Sequence, residues 1–369
     1  MKIKNAKVFV GRSFVDADLE FGKTITAVGK LEGAPDVDAQ GCYVIPGMVD
    51  IHTHGNSGED FSDGRAEGIQ TMADFYARNG VTSFVATTMT LTEEVLTPAM
   101  HVIRDWKRQG GAKCAGIHLE GPFVSKAKCG AQDPRNLHLP DVDMFNRLNE
   151  ASGNQVRLIT MAPEEEGSMH FIREVSKVCT ISIGHTIADY DCAMEAFRNG
   201  ADHVTHLYNA MPSFLHRAPG VIGAAKDAGA SVELICDGLH IHPSVIRCTH
   251  ELFGDKLNLI SDSLRCAGMP DGDYELGGQP IEVKNHKATL KGTDTLAGSS
   301  ISVLDALHNV VKFGLPLEDA VYAATTAPAD AIRAKNIGRI EKGACADLLI
   351  LDKDLNLKAV YVDGEKIVG

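Results

Sequence analysis

The sequence predicts an α/β protein: a (β/α)8 TIM-like barrel carrying a small β-sandwich domain built from both chain termini. Three observations predict it. Short apolar runs alternate with helix-like segments through eight units, the two ends of the chain alternate polar and apolar residues between Gly, Asn and Asp turns, and the polar residues of the middle gather where the apolar runs stop.

The runs are VIPGMVDIHTH (44–54), VTSFVATT (81–88), CAGIHLEGPF (114–123), VRLITMAPE (156–164), CTISIGHT (179–186), HVTHLYNAM (203–211), SVELICDGLH (231–240) and LNLISDS (257–263). Helical periodicity fills the gaps, as in EGIQTMADFYARNG (67–80) and EEVLTPAMHVIRDWKRQG (93–110), and each of these segments closes on a Gly suited to a C-cap. A strand, a loop and a helix repeated eight times is the pattern of a closed parallel barrel, expected here over residues 47–336. Residues 1–46 and 337–369 are expected to fold together as the sandwich. A hairpin-like piece at 273–293 interrupts the last unit.

Composition narrows the function. Hydrophobic residues at 44% and charged residues at 23% suit a globular protein and exclude a disordered or collagen-like one. The net charge of -13 and the lack of a basic run argue against nucleic acid as a partner. The opening MKIKNAKVFVG reads as a strand rather than a leader peptide, and no stretch approaches the roughly 18 apolar residues of a membrane span, so no membrane partner and a cytoplasmic location are expected. Nine cysteines without a CxxC pair suggest neither a disulfide framework nor a thiolate metal site. Cys42, Cys179 and Cys236 are expected in the core, and Cys266 is expected to be inert.

The polar residues at the ends of the runs are His52, His54, Glu120, His185, His206, Asp237, His240 and Asp262. In a (β/α)8 barrel these ends converge on one mouth. Residues i and i+2 of a strand share a face, so His52 and His54 can aim two imidazoles at one spot, as half of a metal site or as two turn histidines. Glu120 follows a buried strand and needs a partner or a metal; His118 lies two residues earlier on the same face. Glu120, His185 and His206 together supply the three-ligand set with an open position that hydrolytic zinc sites use. Asp262 reads either as a helix cap or as a carboxylate that moves a proton. Arg217, Asn209 and His240 would lie over the mouth of an otherwise acidic protein, which suits an anionic group such as phosphate.

These pieces resemble the amidohydrolase superfamily. The likeness runs from PGMVDIHTHG through HLEGPF, ISIGHT, VTHLYNAMP, ICDGLHIHP, ISDS, PDGDYELGG and TLAGS to GACADLLILD, nearly the whole chain. HLEGPF with THLYNAMP is particular to a deacetylase branch, whereas HTH and ADLLILD are shared across the superfamily. The resemblance implies metal-dependent hydrolysis of the acetamide of a small phosphorylated amino sugar, N-acetyl-D-glucosamine 6-phosphate or its galactosamine epimer. It implies that Glu120, His185 and His206 bind the catalytic divalent metal, Zn2+ first with Fe2+, Mn2+ or Co2+ as alternatives, and that Asp262 is the general acid/base. His52 and His54 would make a second metal position with Glu120 bridging, hence one or two ions per subunit. Ala131, Gln132, Asn209, Ala210, Arg217, His240, Leu296 and Ala297 would hold the substrate, and a homodimer is expected from the family.

Two departures bear on specificity. Gln132 in KCGAQDP stands where some members have His, and Leu264 and Arg265 in SDSLRCAG replace smaller residues. Two rivals remain. A cyclic-amide hydrolase of the same superfamily often carries a carboxylated lysine at the end of its fourth strand, where this chain has MAPE. A non-catalytic scaffold should have lost ligands, and none is missing.

Overall fold

The computed structural model describes residues 1–369. Eight parallel strands follow one another in chain order around a barrel: β1 (Met48–Thr53), β2 (Val81–Thr88), β3 (Lys113–Glu120), β4 (Val156–Met161), β5 (Thr180–Ile183), β6 (His203–Val204), β7 (Ser231–Ile235) and β8 (Leu257–Ile260). Helices outside and side chains inside bury both faces of this sheet, which is why VTSFVATT lacks an alternating pattern and is buried at every position. The ring closes between β8 and β1, where the Asp262 N–H donates to His52 O at 2.9 Å and the His54 N–H donates to Ser263 O at 2.9 Å.

The helix after β1 spans Ala66–Arg78, and Gly80 follows it at φ 78, as the C-cap expectation required. The next helix, Glu93–Asp105, stops five residues short of Gly110. Trp106 leaves the helix in extended conformation and packs, partly buried, on Phe84 with ring centroids 6.3 Å apart, so the helix ends at the packing of the single tryptophan, ahead of the glycine. β6 is likewise shorter than the run 203–211 suggested. After Val204 the backbone turns through left-handed conformations at His206, Tyr208 and Ala210 (φ 27, 77 and 51), which no strand accommodates.

Both termini join one eight-stranded sheet. Its main path runs Glu365–Val368, Leu357–Val362, Leu348–Leu351, Tyr43–Pro46, Lys2–Val10, Ser13–Phe21 and Ile25–Gly29, and Val37–Asp38 pairs with Lys2–Val10. This sheet is the β-sandwich domain, with its own core of Ile3, Val8, Leu19, Phe21, Val44, Leu348 and Tyr361. The insertion near the end of the barrel has three antiparallel strands, Gly272–Leu276, Gln279–Lys284 and Lys287–Leu290, one more than a hairpin. Asn285 and His286, both left-handed at φ 51 and 62, make the second reversal that the hairpin expectation overlooked. Leu276, Ile281 and Val283 of the insertion pack on Met89, Leu264 and Cys266.

No helix is long and apolar enough to cross a membrane. All nine cysteines are free thiols; Cys179 and Cys236 are buried, whereas Cys42 is only partly so. Burial pushes the Cys266 thiol up to about 11, which keeps it protonated and inert.

Candidate active site

The ends of β1, β3, β5, β6 and β8 bring six predicted residues together, five of them around the carboxylate of the sixth, Glu120. Glu120 closes β3, and Oε1 lies 3.2 Å from His185 Nε2, 3.2 Å from His206 Nε2 and 3.3 Å from His52 Nε2. Its other oxygen lies 3.3 Å from His54 Nε2. Asp262 Oδ1 completes the group at 3.5 Å from His52 Nε2 and 3.4 Å from His54 Nε2. All six side chains are buried.

The local backbone explains how they converge. His185, His206 and Asp262 each sit just past a strand in the left-handed region, at φ 48, 27 and 48, which costs on the order of 1–3 kcal/mol apiece. The turn swings each side chain off the strand axis and into the mouth. At β3 the device is a glycine: a Cβ on Gly121 would come within 2.1 Å of Thr90 Oγ1, the hydroxyl that donates to Glu120 O at 2.8 Å. Asp262 is therefore no helix cap; its backbone closes the barrel and its carboxylate faces the histidines.

The ring nitrogens are placed where they can serve as metal donors. His185 Nδ1 lies 2.9 Å from Lys128 O, an acceptor that requires the proton on Nδ1 and leaves the Nε2 lone pair free. That Nε2 faces His206 Nε2 at 3.0 Å. His52 Nε2 is buried and has no hydrogen-bond partner. Besides the group His52, His118 and Glu233, two donor sets converge on Glu120: Glu120 with His185 and His206, and His52 and His54 with Glu120. Buried nitrogens facing one another without donors between them fit a cation, and each set can hold a divalent metal ion.

The electrostatics agree. Burial opposes charge on His52, yet the carboxylates of Glu233, Glu120 and Asp262 hold its imidazole well above the usual value. His54 is raised to about 9 in the same way, against burial, by Asp262 and Glu120. Burial pushes Asp262 upward, but His52 and His54 outweigh it, so its carboxyl lies below the ordinary range. His118, two residues before Glu120 on the same strand, bonds elsewhere. Its Nε2 pairs with Thr160 Oγ1 at 2.7 Å, its ring meets the His52 ring edge-on at 4.6 Å, and burial followed by the neighbouring His52 charge drives it well below its usual value.

A cavity of about 500 Å³ opens above the cluster, lined by His54, Glu120, His185, His206 and Asp262 and, further out, by Ala131, Gln132, Asn209, Ala210, His240 and Leu296. Two predicted substrate residues are not brought in. Ala297 is buried behind Leu296 with its N–H committed to Ala288 O at 3.1 Å, because the insertion pairs with that segment. Arg217 is exposed, has no ion-pair partner and stands outside the cavity, because the turn closed between Leu215 and Ala218 carries it outward. Sequence reasoning missed Lys128, the lysine that lines the cavity, whose KAK setting reads as solvated surface. Of the departures from the family pattern, Gln132 and Leu264 line the cavity, whereas Arg265 turns away to Asp63 at 3.0 Å. At the end of β4, Glu164 accepts from the Thr186 hydroxyl and the Ile187 N–H, so no side chain there can bridge two metals as a carboxylated lysine would.

The Amidohydrolase family profile matches residues 43–367. The chain belongs to the amidohydrolase family. Among the curated amidohydrolase relatives, the N-acetylglucosamine-6-phosphate deacetylase of Bacillus subtilis (strain 168) is 40% identical over 73% of this chain and 70% of its own length. The N-acetylgalactosamine-6-phosphate deacetylase of Escherichia coli O157:H7 is 32% identical over 87% of each. In structure, this amidohydrolase superposes on N-acetyl-D-glucosamine-6-phosphate deacetylase from Mycobacterium smegmatis, an aspartate-to-alanine variant in complex with N-acetyl-D-glucosamine-6-phosphate. The TM-score is 0.95, at 33% identity, over 100% of this chain and 99% of that one.

Proposed function

We propose that the chain hydrolyses the acetamide of N-acetyl-D-glucosamine 6-phosphate to D-glucosamine 6-phosphate and acetate. The observation that carries the reading is the convergence of Glu120, His185, His206 and Asp262 at one barrel mouth, in a chain whose relatives of 31% to 40% identity include deacetylases of that name. The E. coli relative favours a second reading, the N-acetylgalactosamine 6-phosphate epimer.

Glu120, His185 and His206 would hold a divalent ion, and His52 and His54 a second with Glu120 between them. Imidazole with carboxylate suits Zn2+ first, with Fe2+, Mn2+ and Co2+ as alternatives. When bound, such an ion supplies Lewis acidity, polarising an amide carbonyl and lowering the pKa of a water. The proton work falls to Asp262. With its carboxyl held below the ordinary range, it is ionised near neutral pH and can accept the proton of the attacking water. It then delivers that proton to the amide nitrogen, which leaves only as an amine, so one carboxylate serves in both directions.

Asn209, Ala210, His240, Ala131 and Leu296 would surround the sugar phosphate, since all line the cavity, and Gln132 beside them would act on the site through Glu120. Asp237 bonds the His240 ring at 2.7 Å and fixes the face it presents. Arg217 would reach the phosphate from outside the cavity. Exposed Phe214, Leu215 and Leu239 support a homodimer that covers them. Nine free thiols and a phosphorylated substrate support a cytoplasmic location. Acetate release from phosphorylated and unphosphorylated N-acetyl amino sugars of both epimers, with metal analysis of the purified protein, tests the reading; no release from any of them refutes it.

A further inference from the structure

Glu233 lies on β7 inside the barrel, wholly buried, and does not line the cavity, so it cannot touch substrate. One of its oxygens serves two partners. Oε2 accepts from His52 Nδ1 at 2.8 Å and from the His206 backbone N–H at 3.1 Å. The other, Oε1, has no hydrogen-bond partner and lies 4.0 Å from His203 Nδ1. A buried carboxylate is costly unless hydrogen-bonded and close to positive charge, so this placement needs a reason.

The reason lies in the His52 ring. A neutral imidazole carries one proton, and the nitrogen that carries it is the one with an acceptor beside it. Glu233 puts that proton on Nδ1. The Nε2 lone pair then faces Glu120 Oε1 at 3.3 Å and Asp262 Oδ1 at 3.5 Å, where it has no hydrogen-bond partner. With the proton on Nε2 instead, the ring would offer a donor where a cation must sit. The bond from the His206 N–H to the same oxygen anchors the left-handed residue that aims a ligand of the other set.

We propose that Glu233 is a positioning residue whose negative charge, held on the Nδ1–H of His52, makes the His52–His54 pair able to take a divalent cation beside the Glu120–His185–His206 position. This rests on the two-set reading of the site given under Proposed function. Its negative charge acts through the His52 proton on the second cation, and the first set keeps all three of its own ligands without it.

The test titrates Zn2+ into the chelator-stripped full chain by calorimetry and counts bound metal, comparing the native protein with Glu233→Gln. Glutamine keeps the volume and can accept both hydrogen bonds through its carbonyl, but it lacks the charge. Expected is an unchanged first equivalent and a second bound roughly 10- to 100-fold more weakly, the usual cost of altering a partner of a metal-bound histidine. Two equivalents bound equally well with and without the carboxylate overturn this proposal alone. A native chain that takes up a single equivalent overturns it while sparing the Glu120–His185–His206 site, and one that takes up none overturns both. Should Glu233→Gln fail to fold, nitrogen–proton spectra of the zinc-loaded native protein decide, with His52 assigned by its absence in His52→Gln. A proton on Nδ1 and a metal-shifted Nε2 are expected; a bare or zinc-bound Nδ1 overturns the proposal.

Discussion

Gln132 donates its side-chain amide to Oε2 of Glu120, and the Thr90 backbone N–H donates to the other end of the same amide at 2.9 Å. Only the amide oxygen can accept from Thr90, so the NH2 group is held against Glu120. The residue that departs from the His of other family members therefore spends its hydrogen bonding on the central carboxylate. Gln132→Leu should free one oxygen of Glu120, lowering kcat and metal retention while KM for the sugar moves little. A raised KM with unchanged metal content would make Gln132 a substrate contact instead.

The first-strand histidines are separable from the other set, because each set shares only Glu120 with its neighbour. His52→Gln combined with His54→Asn should remove about one metal equivalent and leave measurable acetate release, since Glu120, His185 and His206 still complete a three-ligand site. Loss of all bound metal would make the His52–His54 pair the primary position.

Arg217 poses the sharpest question about the phosphate end of the site, since it is exposed and outside the cavity whereas Lys128 lines it. Arg217→Ala should raise KM for the phosphorylated sugar by about tenfold or more and barely affect the unphosphorylated one, because a charge-assisted bond is worth roughly 1.5–3 kcal/mol. Equal effects on both sugars would remove Arg217 from the site and leave Lys128 as the cation for the phosphate.

Particular residues show what could be read in advance. His52, His54, Glu120, His185, His206 and Asp262 stand out because each interrupts or ends an apolar run, where a polar side chain demands a partner. Eight such runs fix the barrel, since parallel strands buried on both faces leave this pattern. Glu233 escaped notice because it sits within the run SVELICDGLH rather than at its end, although a lone acid inside a barrel strand is itself a signal of a buried partner. Arg217 and Ala297 stand outside the cavity because a turn and a cross-strand bond position them, and neither leaves a periodic trace in the sequence. The second helix ends where Trp106 packs on Phe84, a tertiary contact that the glycine signal does not register.

Lys113 ties the barrel to the terminal domain, with Nζ 2.7 Å from Asp347 Oδ2 and 2.7 Å from Asp363 Oδ1. Lys113→Met leaves Asp347 buried with its counter-charge gone. Breaking a fully buried pair costs about 3–5 kcal/mol, and the partial exposure of Lys113 brings the expected loss nearer 2 kcal/mol. The pH dependence has a definite sign. Burial already raises the Asp347 carboxyl with Lys113 present, and losing the lysine raises it further. A carboxyl whose folded pKa exceeds its unfolded one destabilises the fold as pH rises above the unfolded value, so the deficit against the native protein should grow from pH 4 to pH 8. Urea unfolding at both pH values measures it, and a deficit that shrinks with pH would show that Asp347 is not the group left unpaired.

Asp262 carries the proposed proton transfer, and its substitution separates that role from a structural one. Asp262→Asn keeps the size of the side chain, the backbone bonds that close the barrel at His52 O, and an oxygen that can face His54, but it cannot accept a proton from water. The fall in kcat should reach at least the roughly 10²- to 10⁴-fold typical of general acid/base catalysis, with substrate affinity and metal content nearly unchanged. The native pH profile gives an independent reading. Because Asp262 sits within 3.5 Å of His52 and 3.4 Å of His54, the acidic limb of kcat/KM should report the coupled cluster as one macroscopic value. That limb should be altered or lost in the asparagine variant, whose side chain does not titrate. A variant retaining more than about a tenth of native kcat would show that the proton passes through another group, and Asp262 would then serve to close the barrel and orient His54.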